Sequence, residues 1–199
     1  DNKASLANRF LLNTDVDIPI FGMIARLVEQ KGYDLICDSI DALAALPAQF
    51  VFIGEGDKKY ETILTRAAKK YKNIGFFHGY DEELAHLIQA GSDAILMPSR
   101  FEPCGLNQLY AQAYGSIPVV AKTGGLLDTI EEYNPKKESG NGFFIQDLTT
   151  EGLVTTLQKV VELFHNEEQW EKLVKTIMAI DNSWKASAEE YVNHLYRKG

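Results

Sequence analysis

The stretch Ala94-Ile95-Leu96-Met97-Pro98-Ser99-Arg100-Phe101-Glu102-Pro103-Cys104-Gly105-Leu106-Asn107-Gln108-Leu109-Tyr110 passes from one structural regime to another within seventeen residues. Residues 94–97 form an uninterrupted apolar run, short enough for a strand buried on both faces. Two prolines and a glycine then mark a tight turn. From residue 106 to 114 apolar residues recur at helical spacing. A strand, a turn and a helix in this order leave Glu102 and Cys104 at the carboxyl end of a strand, beside a helix N-terminus. An open α/β sheet binds its ligand at that edge, and the helix end favours anions.

The same unit repeats outward along the chain. Residues 18–24, 50–53, 74–77 and 117–120 read as further buried strands, and 33–46, 60–71 and 82–90 as the helices between them. Glycine and proline punctuate the joins, among them Gly32, Pro47, Gly54, Gly56, Gly79 and Gly115. Strict alternation predicts a mostly parallel sheet covered on both faces. The fold class is α/β: a single Rossmann-like, doubly wound parallel sheet with extra C-terminal helices. After Gly125 the pattern changes. Residues 131–141 are polar and read as an exposed loop, 143–145 as a short edge strand, and 149–165, 167–179 and 183–197 as three successive helices. Three segments follow from this: a tail or linker over 1–17, a Rossmann-like domain over 18–182, and a terminal helical segment over 183–199.

Composition excludes several classes. The 199 residues are 45% apolar and 24% charged, ordinary for a globular domain. The formal net charge of −8 argues against a nucleic-acid platform, which needs a basic face. No apolar run approaches the roughly 20 residues of a membrane span, and the first residues lack a signal-peptide layout. Two cysteines, Cys37 and Cys104, are too few for a disulfide framework and point to a reducing, intracellular setting. The histidines show no metal-ligand spacing, so neither a metal nor a bound cofactor is expected.

The candidate chemistry lies at strand ends. Arg26 and Lys31 share the loop after the first strand, and two cations there suit a diphosphate. Thr123-Gly124-Gly125 follows the fifth strand, where bare backbone N–H groups approach phosphate oxygens. Gly105-Leu106-Asn107 opens a helix. Taken singly, each has a plainer reading: a solvated loop, a turn, a helix start. Glu102 cannot assist phosphate binding and is suited to accept hydrogen bonds from sugar hydroxyls; its plainer reading is a carboxylate favoured by a helix dipole. Tyr80 offers an aromatic face that stacks on a base or simply packs. Gly54-Glu55-Gly56 lacks the third glycine of a dinucleotide fingerprint and reads as a tight turn.

Three motifs carry a family resemblance that covers nearly the whole chain. Arg26-Leu27-Val28-Glu29-Gln30-Lys31-Gly32, the run from Pro98 to Gln108, and Thr123-Gly124-Gly125-Leu126-Leu127-Asp128-Thr129 stand in the order of the starch and bacterial glycogen synthases. Ser183-Trp184, Ala188 and Tyr191 are similar to that family's last helix. These synthases are retaining glucosyltransferases built from two Rossmann-like halves, and the chain resembles the C-terminal, donor-binding half of such a GT-B fold. The resemblance implies that Arg26, Lys31 and Glu102 are the catalytic set: the two cations hold the donor diphosphate and Glu102 holds the hexose. It implies that Cys104 and Gly105 line the sugar pocket, that backbone at Leu106, Thr123, Gly124 and Gly125 cradles phosphate, and that Tyr80 stacks on the base.

The implied reaction is metal-independent transfer of glucose, with retention, from ADP-glucose or UDP-glucose to an α-1,4-glucan. The glucan would be reached through an N-terminal domain not present here, so the isolated chain is expected to transfer little or no glucose. Residues 183–199 would return to that domain; without it, their apolar stripe (Tyr191, Leu195, Tyr196) is expected to repack, fray or self-associate. No nucleic-acid or membrane partner is implied, and the setting would be cytoplasm or, in a plant, plastid stroma. Two departures narrow the match. Tyr110 stands where related transferases carry a second glutamate, and Ala121 where family members often carry arginine, a contact that Lys122 is available to replace. The alternatives are another retaining transferase of the same architecture and a stand-alone nucleotide-binding or regulatory module.

Overall fold

A computed structural model describes residues 2–196. Six parallel strands form one sheet: β1 (Ile20–Ile24), β2 (Gln49–Gly54), β3 (Ile74–His78), β4 (Ala94–Met97), β5 (Ile117–Ala121) and β6 (Phe143–Ile145). Their spatial order is β3-β2-β1-β4-β5-β6. The order reverses between β1 and β4, which are paired through Phe21↔Ala94 and Gly22↔Ile95. A doubly wound sheet opens its binding crevice at that reversal.

Strand side chains alternate, and here both sets are buried. Phe21, Met23, Phe50, Phe52, Leu96 and Val119 enter one core layer; Ile20, Val51, Ile53, Ile95, Met97 and Val120 enter the other. That two-sided burial explains why the strands read as continuous apolar runs. The first layer takes α2 (Tyr33–Asp38), α3 (Ile40–Ala44), α4 (Lys58–Lys70), α8 (Thr150–Phe164) and α9 (Glu167–Met178), through Tyr33, Leu43, Leu64, Leu157 and Leu173. The second takes α1 (Asn2–Arg9), α5 (Glu82–Gly91), α6 (Asn107–Tyr114) and α7 (Gly125–Thr129), through Leu6, Ile88, Ala111 and Leu126.

Three expectations change. The segment 1–17 is not a tail. Its first part is helix α1, which buries Leu6 and Ala7 against α5, with Leu12 buried beyond it. An eight-residue polar helix shows too few apolar positions for a period to register, and its packing partner lies over seventy residues away. The helix read over 33–46 breaks at Ser39, whose φ of −95° and ψ of 0° end α2. Ser39 is buried and its hydroxyl donates to Thr150 Oγ1 at 2.9 Å, so a tertiary bond decides the break. The last helix is α10 (Trp184–Tyr191), continuing as a π-helical turn over Val192–Tyr196; Arg197, its expected end, lies outside the described residues. Trp184 is 90% exposed, and Tyr191 and Tyr196 are exposed as well. The side chain of Leu195 is outside the described residues.

Candidate functional site

Loops after β1, β4 and β5 meet at the carboxyl edge of the sheet. After β4, Pro98 directs the chain outward and Glu102 turns back inward, where it is 7% exposed. Its Oε2 accepts from Lys31 Nζ at 2.5 Å and from the hydroxyl of Ser99 at 3.2 Å. Among the described residues Glu102 Oε1 makes no hydrogen bond, and it keeps solvent access. Ser99 is itself buried, so the carboxylate is held from below by the strand that delivers it.

The β5 turn closes on this loop by backbone contact. Gly125 N–H donates to the Glu102 carbonyl at 3.0 Å. A side chain at Gly124 would fall on that same carbonyl, and one at Gly125 on the carbonyl of Cys104. Gly124 also takes a φ of 46°, open to glycine at little cost. Thr123 Oγ1 reaches the Arg100 carbonyl at 3.4 Å. Leu106 caps α6, and Asn107 Nδ2 donates to the Ile24 carbonyl at 2.8 Å, fastening the start of α6 to the end of β1. No backbone carbonyl engages the N–H groups of Gly105, Leu106 and Asn107. Orphan donors at a helix start carry partial positive charge.

The expected site residues thus divide. The structure brings together Lys31, Glu102, Cys104, Gly105, Leu106, Thr123, Gly124 and Gly125. Arg26 lies exposed on the same edge, directly after β1, and its guanidinium makes no ion pair among the described residues. Tyr80, 71% exposed, follows β3 at the rim of the sheet. Two interstrand spacings, about 10 Å, separate β3 from β1. Lys122 does not turn to the site: its Nζ holds Gln146 Oε1 at 3.2 Å and lies over the Phe144 ring. Gly54-Glu55-Gly56 has a packing role, since side chains at Gly54 and Gly56 would strike the carbonyls of Ala25 and Leu27. The two thiols differ as well. Burial pushes Cys37 up to about 12, whereas Cys104 is exposed.

Sequence reading passed over Ser99, Asp34 and Gln30, and took Asn107 only as part of a helix start. Ser99 and Asn107 lay inside the quoted motif, but only the folded chain shows that they face Glu102 and the end of β1.

The model of the glycosyl transferases group 1 matches residues 6–177. The chain belongs to that family. This group 1 domain is 44% identical over 201 residues to glycogen synthase 1 of Methylococcus capsulatus, and 45% identical over 198 residues to a glycogen synthase of Koribacter versatilis. Each match covers 99% of the chain but only 41% and 40% of the relative. The catalytic domain of starch synthase IV from Arabidopsis thaliana, solved bound to ADP and acarbose, superposes with a TM-score of 0.87 at 36% identity. It covers 99% of the group 1 domain and 42% of its own chain. The domain therefore spans about two fifths of the length of the proteins it resembles. The starch synthase structure shares this Rossmann-like sheet. Among the described residues no helix is long and apolar enough to cross a membrane.

Proposed function

We propose that this domain binds the donor in a synthase that moves glucose from ADP-glucose to an α-1,4-glucan with retention. The reading is carried by the meeting of Lys31 and Glu102 at 2.5 Å, at the reversal of strand order, beneath the glycine turn of Gly124 and Gly125. One cation and one carboxylate are thus held side by side, as a diphosphate joined to a hexose requires. Arg26 and Lys31 would stabilise the charge that develops on the departing nucleoside diphosphate, with the N–H groups that open α6 adding to the field. Glu102 Oε1 would accept from a hexose hydroxyl, and Cys104 and Gly105 would border the sugar. Tyr80 would stack on the base. Adenine is favoured over uracil because ADP occupies the starch synthase structure that superposes at a TM-score of 0.87. No metal or bound cofactor has a part in this scheme.

The acceptor would be held by a part of the protein outside this chain. The exposed face of α10, with Trp184 and Tyr191, is the surface that such a part would cover. The setting would be cytoplasm or plastid stroma. Calorimetry of ADP, UDP and ADP-glucose against the chain tests the reading. ADP and ADP-glucose should bind more tightly than UDP, and Arg26→Ala should weaken ADP about 30-fold, the loss of one charged hydrogen-bond donor worth about 2 kcal/mol. Lys31→Ala should weaken it as well. A folded chain that binds none of the three would overturn the proposal.

A further inference from the structure

Lys31 and Glu102 are 71 residues apart in sequence and sit on two different loops, yet meet at 2.5 Å. A lysine side chain carries roughly 2 kcal/mol of rotamer entropy, so a preset geometry needs something to hold the loops in place. The neighbours of the pair supply it. Arg100 N–H donates to the Gln30 carbonyl at 2.9 Å, and Gln30 Nε2 donates to the Phe101 carbonyl at 3.2 Å. Gly32, at a φ of 81°, presses so closely on the Pro98 carbonyl that no side chain fits between them. Beyond these, the Arg100 guanidinium grips Asp34 Oδ2, through Nε at 3.0 Å and through a second, shorter contact from the terminal nitrogen. Asp34 opens α2, immediately after the cationic loop. Asp34 Oδ1 is sealed from solvent without a hydrogen-bond partner, and among the described residues Arg100 is the cation paired with this partly exposed carboxylate.

We propose that Asp34 and Arg100 are positioning residues, whose ion pair clasps the loop after β1 to the loop after β4 and presets Lys31 beside Glu102 for a nucleoside diphosphate. This rests on the donor-site reading above. The pair brackets the two binding side chains: Gln30 and Gly32 flank Lys31, and Arg100 and Phe101 precede Glu102. Arg100 has its fork spent on Asp34, which separates it from Arg26, a cation on this edge that makes no ion pair among the described residues. The clasp acts on ligand affinity through Lys31, with no contact of its own to the ligand.

A double-mutant cycle with ADP calorimetry tests it, using the whole chain, Asp34→Asn, Arg100→Gln, Lys31→Met and the Lys31→Met/Asp34→Asn pair. Asp34→Asn and Arg100→Gln should each weaken ADP about fivefold to tenfold, within the range of coupling between residues in contact. In the Lys31→Met background, Asp34→Asn should change affinity less than about twofold, because its effect runs through Lys31. Asp34→Glu, which keeps the charge, should recover most of the loss. Tighter ADP binding by Asp34→Asn would mean that Arg100 is itself a phosphate ligand restrained by Asp34, and the clasp would be wrong. A loss that persists unchanged without Lys31 would mean general loop damage and would also overturn it. A wild-type chain that does not bind ADP removes the donor-site reading and the clasp together; normal binding that Asp34→Asn leaves untouched removes the clasp alone.

Discussion

The two ends of the one sheet treat their polar groups in opposite ways. At the amino end most are spent on the fold, although Gln89 Oε1 and Ser92 Oγ stay buried without a partner. Gln49 exchanges hydrogen bonds with the Asn13 backbone, at 2.7 Å to its N–H and 2.9 Å to its carbonyl. Asn73 Nδ2 bonds the carbonyls of Ala44 and Ala48, and Ser116 Oγ those of Gln89 and Ser92. Asp93 Oδ2 takes the Ile20 N–H at 2.7 Å and Lys3 at 2.9 Å. At the carboxyl end, among the described residues, Arg26 has no ion partner, Glu102 Oε1 is open, and the N–H groups that begin α6 have no backbone acceptor. Yet the amino end carries a cavity of about 930 Å³, lined by Phe10, Leu46, Pro47, Ala68 and Ile74 among others. Space alone does not make a donor site. In the donor-site proposal, the polar groups left unpaired beside the buried Glu102 are those a ligand would complete.

The largest change that breaks this contrast is at the carboxyl end. Gly124→Ala forces a side chain onto the Glu102 carbonyl at a φ of 46°, and should cost about 3 kcal/mol in urea unfolding and abolish ADP binding. An unchanged urea midpoint would mean that the close approach of the two loops is not structural. At the amino end, Lys3→Met should cost about 1–2 kcal/mol at pH 7 by removing the cation beside the buried Asp93. Burial raises the Asp93 pKa in the fold, and Lys3 opposes that rise. The charged carboxylate therefore opposes folding above its raised folded pKa, and this opposition vanishes as pH falls below the ordinary carboxylate value of about 3.9. The Lys3→Met deficit should accordingly be full at neutral pH, shrink as pH falls through the raised folded pKa of Asp93, and be gone by about pH 4, which thermal unfolding across pH will read. ADP affinity should be unmoved by the same change, since it belongs to the spent end of the sheet. Smallest is Trp184→Ala, on a side chain that nothing in the chain covers: the urea midpoint should move by less than about 0.5 kcal/mol. A larger loss would mean that α10 packs on the body of the domain.

The legible part of this molecule was the part encoded locally. Residues 94–97 form the strand expected of them, and so do 143–145, because a short run of apolar residues is itself the signal for two-sided burial. The glycine turn 123–125 was visible for the same reason: glycine marks where backbone must pass close. Helix α1 was missed because its amphipathic signal spans only two turns, and its meaning comes from Leu6 reaching a core built by distant residues. The break at Ser39 was missed because the hydroxyl that ends α2 is bonded to Thr150, 111 positions on. At the site, residue types were readable and partners were not. Lys31 and Glu102 read as groups for phosphate and for sugar, and in the structure they hold each other.

The sequence by itself determined the alternation of strand and helix, the family, and the strand ends from which the candidate side chains emerge. Those follow from periodicity and from residue types that chain geometry demands locally. Only the tertiary structure decided that β1 and β4 are neighbours, that the loops after them are clasped through Arg100 and Asp34, and that Arg26 remains without an ion pair while Lys31 does not. Those facts depend on groups 66 to 71 residues apart coming within a few ångströms. Distance of that kind is settled by packing and desolvation over the whole sheet, and no local run of residues carries it.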